Sequence, residues 1–263
     1  NLTNASVLMF GESPQAFFPQ SEVRCGRFKG KDASSDFLDM KVLNGPIYKM
    51  VDEAMQFVME HINKEVRIIP GQTEREEKWE YPLEAIREAL TNAVVHRDYF
   101  SSSNVQVRIF DNRIEIWNPG TLPEGITVED LKGKHESKPQ NPLLAKLFFL
   151  IKYIEQWGTG TNRIVKLCRV NDLPEPNFED TGSSFIVTLR KSKLTEDYLE
   201  SLELNDRQRK AVEYVKENEQ ISNSEYRNLN NVTRETAKRD LSDLVDKEIL
   251  QKKGKGRATH YTF

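Results

Sequence analysis

The chain has 263 residues, 37% hydrophobic and 30% charged, with a formal net charge of −3 and a mean hydropathy of −0.65. This composition excludes wholesale disorder, and the lack of any apolar run approaching ~18 residues excludes a transmembrane helix. The length suits about two domains, and the slight negative charge argues against a uniformly basic coat for nucleic acid while leaving room for a local basic patch. Two cysteines, Cys25 and Cys168, are too few and too far apart for a disulfide framework or a CxxC metal site, which points to a reducing, cytoplasmic compartment. The chain opens on Asn1 without the basic start and long apolar centre of a signal peptide, so it reads as a fragment of a longer parent.

Residues 5–10 form an apolar run closed by Gly11 and predict a strand; 22–28 predict a second. Ile47, Met50, Val51, Ala54, Met55 and Val58 have helical spacing and predict a helix over 47–62. Two strands, 66–69 and 77–81, flank Pro70-Gly71. Pro82 can open a helix whose apolar face is Leu83, Ile86, Ala89, Leu90 and Ala93, reaching His96. A hairpin follows: Val105, Val107 and Ile109 alternate, Asp111-Asn112 turn, and Ile114 and Ile116 return to Trp117. After the polar stretch 133–141, Pro142 opens a helix carrying Leu143, Leu144, Leu147, Phe148 and Ile151. The run 157–161 (WGTGT) interrupts it, and Ile164, Val165, Leu167 and Cys168 begin another. Phe185, Val187 and Leu189 make a last strand before a charged linker at 191–203.

Beyond it the pattern changes to short helices, marked by Ala211, Val212 and Val215, by Tyr226 and Leu229, and by Ala237, Leu241, Leu244 and Val245. A hairpin of 249–253 and 258–263 closes the chain, with Gly254-Lys255-Gly256 at its tip. From Ser201 onward there are 13 Lys/Arg and 11 Asp/Glu, a balance of +2, so the preceding residues carry −5.

Three helices and a basic hairpin are the parts of a winged helix, whose third helix enters the major groove of double-stranded DNA. With Ala237, Leu241 and Leu244 turned inward, Arg234, Glu235, Lys238 and Arg239 fall on the opposite face, where base edges are read. Lys252, Lys253, Lys255 and Arg257 sit on the hairpin, placed to neutralise phosphates. The same module could instead dimerise or dock protein. The segment NVTRETAKRDLSDLVDKEILQKKGKGRATHYTF resembles the recognition helix and wing of bacterial and archaeal transcription regulators, a similarity covering 204–263.

In the central part, Glu88, Asn92 and His96 lie four apart and share one helix face, distinct from the apolar one. A carboxylate can accept a proton from water, and an amide oxygen suits hard Mg²⁺. Gly158-Thr159-Gly160-Thr161 precedes a helix, where free N–H groups and the positive helix end could hold phosphate. Asn118-Pro119-Gly120 closes a strand and offers an adenine pocket an amide that both donates and accepts. The nearest approach to a P-loop, 26–32 (GRFKGKD), has the wrong spacing and no Ser/Thr after its lysine, so helicase activity is not expected.

This order of features resembles the GHKL ATPase superfamily. More closely, 40–190 resembles the ATP-binding domain related to the carboxyl-terminal part of RecG-type helicases, through PLEAIREALTNAVVHRDY, IEIWNPGTLPEGI, HESKPQNPLLAKLFFLIKYIEQWGTGTNRI and GSSFIVTL. The resemblance implies ATP and Mg²⁺ as cofactors, with Glu88 as the water-activating carboxylate and Asn92 as the metal ligand. It implies that Asn118 takes the place of the adenine-binding aspartate, with Gly120 in the adjacent glycine box and Gly158 and Gly160 in the second. Residues 133–141 would be the lid, with Lys134 and Lys138 on the phosphates. Three departures are an amide for the aspartate at Asn118, His96 where many relatives are acidic, and a short second glycine box; ATP turnover therefore stays open. Residues 1–32 (from Leu2, LTNASVLMFGESPQAFFPQSEVRCGRFKGKD) resemble the end of a Schlafen Alba-type domain.

The expected fold is α+β: a GHKL-like sandwich, a mixed sheet with helices on one face, plus a carboxyl-terminal winged helix-turn-helix. The expected domains are 1–32, 40–190 and 204–263, with 191–203 as linker. The function expected is a nucleotide-responsive, DNA-binding transcriptional regulator, with a homodimer as a natural assembly. The alternatives are a Mg-dependent ATPase of a repair or defence assembly whose winged helix docks protein, and a degenerate, non-hydrolysing scaffold.

Overall fold

A computed structural model describes residues 2–34, 36–68, 75–133, 136–154, 160–192, 194 and 196–263. The chain divides into two compact units, Asn1–Lys191 and Ser192–Phe263.

The first unit begins with a helix, α1 (Asn4–Phe10), where an apolar strand was expected. The Thr3 hydroxyl accepts the Ser6 N–H as an N-cap, and Ala5, Leu8 and Met9 bury one face at i, i+3, i+4, a spacing too short to stand out in six apolar residues. Then come β1 (Val23–Phe28), β2 (Phe37–Leu43), α2 (Ile47–His61), the β3 (Lys64–Ile68) and β4 (Arg75–Trp79) pair, and α3 (Leu83–Val95). The hairpin β5 (Val105–Ile109) and β6 (Arg113–Pro119) precedes α4 (Pro142–Leu150), α5 (Gly160–Val170), β7 (Asn177–Asp180) and β8 (Ser184–Arg190). Strands β2 and β7 were not anticipated. Both are sheet edges, where burial imposes little alternation on the sequence.

Six strands form one mixed sheet in the order β2-β1-β5-β6-β8-β7, all neighbours antiparallel except β1 and β5. Helices α2 and α3 pack against it, and their buried Ile47, Val51, Ile86 and Leu90 share a core with Val107, Ile116 and Leu189. This is the α+β arrangement expected. Residues 1–32, set apart in the sequence, belong to that core: Leu8, Met9, Val23 and Cys25 are buried in it, and β1 lies between β2 and β5. Arg97, 2% exposed, ties the parts together, donating to the carbonyls of Asp98, Gln20, Ser101 and Ser103 at 2.9, 2.9, 3.3 and 2.6 Å.

The second unit comprises α6 (Glu196–Ser201), α7 (Asp206–Asn218), β9 (Gln220–Ser222), α8 (Asn223–Asn230), α9 (Arg234–Asp246), β10 (Gln251–Lys253) and β11 (His260–Thr262). The expected linker thus carries a helix, and Leu194, Tyr198, Leu199 and Leu202 pack on this unit's core. Capping boxes at Asn205/Gln208 and Ser222/Glu225 start α7 and α8. β9, β11 and β10 form a three-stranded antiparallel sheet. Buried Asp240 of α9 accepts from Arg207 Nε at 2.8 Å and from the Tyr226 hydroxyl at 3.0 Å, joining the three longer helices.

Candidate functional site

Helix α3 is amphipathic in two senses. Ala85, Ile86, Ala89 and Leu90 bury one face, while Glu88, Asn92 and His96 line an open cleft enclosing about 1130 Å³, its mouth included. The cleft floor is apolar, formed by Ile116, Val187 and Phe185 of the sheet with Ile164 of α5, and the 121–126 segment supplies Leu122 and Ile126. Asn92 Nδ2 donates to Glu88 Oε1 at 3.1 Å, which fixes the carboxylate and leaves the amide oxygen as an acceptor. Gly160, the first residue of α5, is pressed against this pair. A Cβ there would sit 2.1 Å from Glu88 Oε1 and 3.3 Å from Asn92 Nδ2, so any side chain at this position would have to displace the carboxylate from where it now lies.

At the other end Asn118, 6% exposed, reaches the cleft from the end of β6. In the orientation that satisfies both ends of its amide, Nδ2 donates to the Ala93 carbonyl at 2.9 Å. His96 caps α3, and burial holds its pKa below the ordinary imidazole value. Its Nδ1 is 3.5 Å from the Gln140 N–H, and Asn141 Nδ2 donates to the Val95 and Arg97 carbonyls at 3.0 and 2.8 Å. These bonds moor the polar segment to the end of α3, with Lys138 in the cleft wall, its ammonium 3.4 Å from the Glu124 carbonyl.

Residues 102–189 match the family described as "Putative ATP-dependent DNA helicase recG C-terminal". The first unit is ATPase-like. The crystal structure of the DIP2311 protein from Corynebacterium diphtheriae resembles this chain with a TM-score of 0.60 at 20% identity, covering 92% of this chain and 49% of that one. That likeness is one of fold, and the chain spans about half the length of that protein. No curated protein matches the chain.

The ATPase-like unit therefore brings together Glu88, Asn92, Asn118, Lys138 and Gly160 around one cleft. Gly120 lies beside it: its φ of +127° serves the turn out of β6, where a Cβ would meet Asp98 at 3.5 Å. Lys134 and Gly158 lie outside the described residues. Sequence reasoning missed the apolar floor, because Phe185 and Val187 read as ordinary strand residues, and missed Gln140, whose contribution is a main-chain N–H. Among the described residues, no group of three or more His, Cys, Asp or Glu could hold a metal ion, so a cation here would rely on the Asn92 amide oxygen, ligand oxygens and water.

In the second unit, Arg234, Lys238 and Arg239 are exposed on α9, whose Ala237, Leu241 and Leu244 are buried. Lys252 and Lys253 of β10 and Lys255 at the tip are exposed as well, while the Arg257 side chain lies outside the description. No helix among the described residues is long and apolar enough to cross a membrane.

Proposed function

We propose that the chain is a nucleotide-responsive DNA-binding regulator whose first unit, a GHKL-like domain, binds ATP with Mg²⁺. The observation that carries this reading is the meeting of Glu88, Asn92 and Gly160 at one end of an apolar cleft whose other end holds Asn118. An adenine base would lie between the apolar floor and the 121–126 segment, beside Asn118, whose Nδ2 is committed to the Ala93 carbonyl. The start of α5 offers N–H groups to phosphate, and Lys138 adds a cation. Mg²⁺, when bound, neutralises phosphate charge, and Asn92 Oδ1 fits it as a hard donor. Glu88 is positioned to accept a proton from an attacking water, its orientation set by Asn92. Titration calorimetry with ATP and Mg²⁺ tests this. Saturable binding lost in Asn92→Ala is expected; absence of binding, or binding indifferent to that substitution, overturns it.

The second unit, in this reading, is a winged helix: α9 reads the major groove with Arg234, Lys238 and Arg239, and the β10–β11 hairpin contacts phosphate with Lys252, Lys253 and Lys255. Replacing the three lysines with glutamine should weaken duplex binding and lower the slope of log affinity against log salt by up to about 2.7, at ~0.9 per phosphate contact. An unchanged slope refutes the assignment. The ATPase alternative is separated by assay: Mg-dependent hydrolysis abolished by Glu88→Gln, with no affinity for duplex DNA, would favour it.

A further inference from the structure

The six-stranded sheet ends in two unlike edges. β7 is four residues long and carries Glu179 and Asp180, which discourages pairing. β2 has seven residues, and Phe37, Leu38, Met40 and Val42 are 55, 59, 60 and 42% exposed. A long apolar open edge is a template for another strand. We propose that β2 pairs antiparallel with β2 of a second copy of this chain about a two-fold axis at Met40, joining two sheets into one; this is independent of the nucleotide reading.

Charge and register select the partner. Met40 is the midpoint of β2, so an axis there overlaps the whole strand and sets Leu38 against Val42 and Asp39 against Lys41, twice by symmetry. Opposite charges facing each other across strands stabilise pairing, and like charges oppose it. Moving the axis to Lys41 would set lysine against lysine, and moving it to Asp39 would set aspartate against aspartate. Of these three registers, only the axis at Met40 sets opposite charges face to face. The Met40 N–H, moreover, donates to Asp39 Oδ1 at 2.8 Å. A strand carbonyl of the second copy would take over that N–H and release the carboxylate oxygen towards Lys41 of that copy, while Asp39 Oδ2 keeps His61 Nε2 at 3.1 Å. A register shift opposite Phe28 interrupts the ladder with β1 between Asp39 and Phe37, so of the symmetric contact the stretch Asp39–Lys41 is the part with regular strand geometry.

Sedimentation velocity of the 263-residue chain, from about 1 to 500 µM because a one-strand contact falls below the ~1,200 Å² of standard interfaces, should show a reversible monomer–dimer equilibrium. Lys41→Asp and Asp39→Lys, each alone, should weaken self-association at least about tenfold, and an equimolar mixture of the two variants should restore a one-to-one heterodimer. Met40→Pro, tolerable at an open edge, should remain folded by circular dichroism and be monomeric. A wild-type monomer throughout, self-association indifferent to the charge changes, or no heterodimer on mixing would overturn the proposal.

Discussion

Arg97 offers the sharpest test of how the first unit is held together. The residue is 2% exposed, and its four hydrogen bonds all go to main-chain carbonyls: Gln20 near the start of the chain, and Asp98, Ser101 and Ser103 in the loop after α3. In Arg97→Met the volume is nearly kept, and the cost of burying a cation, several kcal/mol, is removed. Against this, four charge-assisted bonds at ~1.5–3 kcal/mol each are lost and four half-buried carbonyls lose their donor. The losses exceed the gain, and a net destabilisation of about 3–5 kcal/mol is expected, comparable to breaking a buried ion pair. For a unit of this size, at about 2–4 °C per kcal/mol, the midpoint of thermal unfolding should fall by roughly 10 °C. Arg97→Lys should not rescue it, because one ammonium cannot span carbonyls from two segments. Differential scanning calorimetry of the whole chain reads the transition of the first unit directly. A loss below about 1 kcal/mol in Arg97→Met would mean that the carbonyls find other donors and that the clasp is dispensable.

Gly160→Ala places a Cβ 2.1 Å from Glu88 Oε1 and pushes that carboxylate out of its contact with Asn92; in the proposed reading the affinity for ATP with Mg²⁺, measured by titration calorimetry, should fall roughly tenfold, and unchanged affinity would detach this contact from the nucleotide site. His96 is held below its ordinary pKa by burial, so the folded state binds fewer protons than the unfolded one. Stability should be full above the ordinary imidazole value and decline as pH falls beneath it, and His96→Gln should flatten that decline in urea titrations between pH 7.5 and 5. In the second unit, Asp240→Asn strips the charge that Arg207 and Tyr226 address, and should cost about 2–4 kcal/mol in that unit's unfolding, read by circular dichroism.

Where burial imposed a period on the chain, the sequence was legible. Ile47 to Val58 and Ala237 to Leu244 repeat at helical spacing because one face of each helix is inside, and both helices lie where expected. The candidate site was legible for a related reason: Glu88, Asn92 and His96 interrupt no apolar stripe, so their common face had to look elsewhere. What stayed hidden lacks a local signature. Strand β2 is exposed on six of its seven residues, and β9 is three residues long. Arg97 reads as one more charged residue, since nothing in HRDY announces that its partners include a carbonyl 77 positions upstream. The closeness of Gly160 to Glu88 joins the start of one helix to the middle of another, a relation that only the tertiary fold creates.

The insertion of β1 between β2 and β5 bears on how the chain is made. β1 pairs in parallel with a strand 82 residues downstream, Val23 with Val105, and until β5 appears the β1 edge has no partner on that side. At about 5–20 residues per second, synthesis leaves that edge waiting roughly 4–16 s, longer than most elementary folding steps. A chain begun at residue 40, where the sequence suggested a domain start, would carry the opposite defect: β5, with Val105, Val107 and Ile109, would become a bare sheet edge. Trimming residues 1–39 should therefore give aggregation rather than a smaller soluble domain.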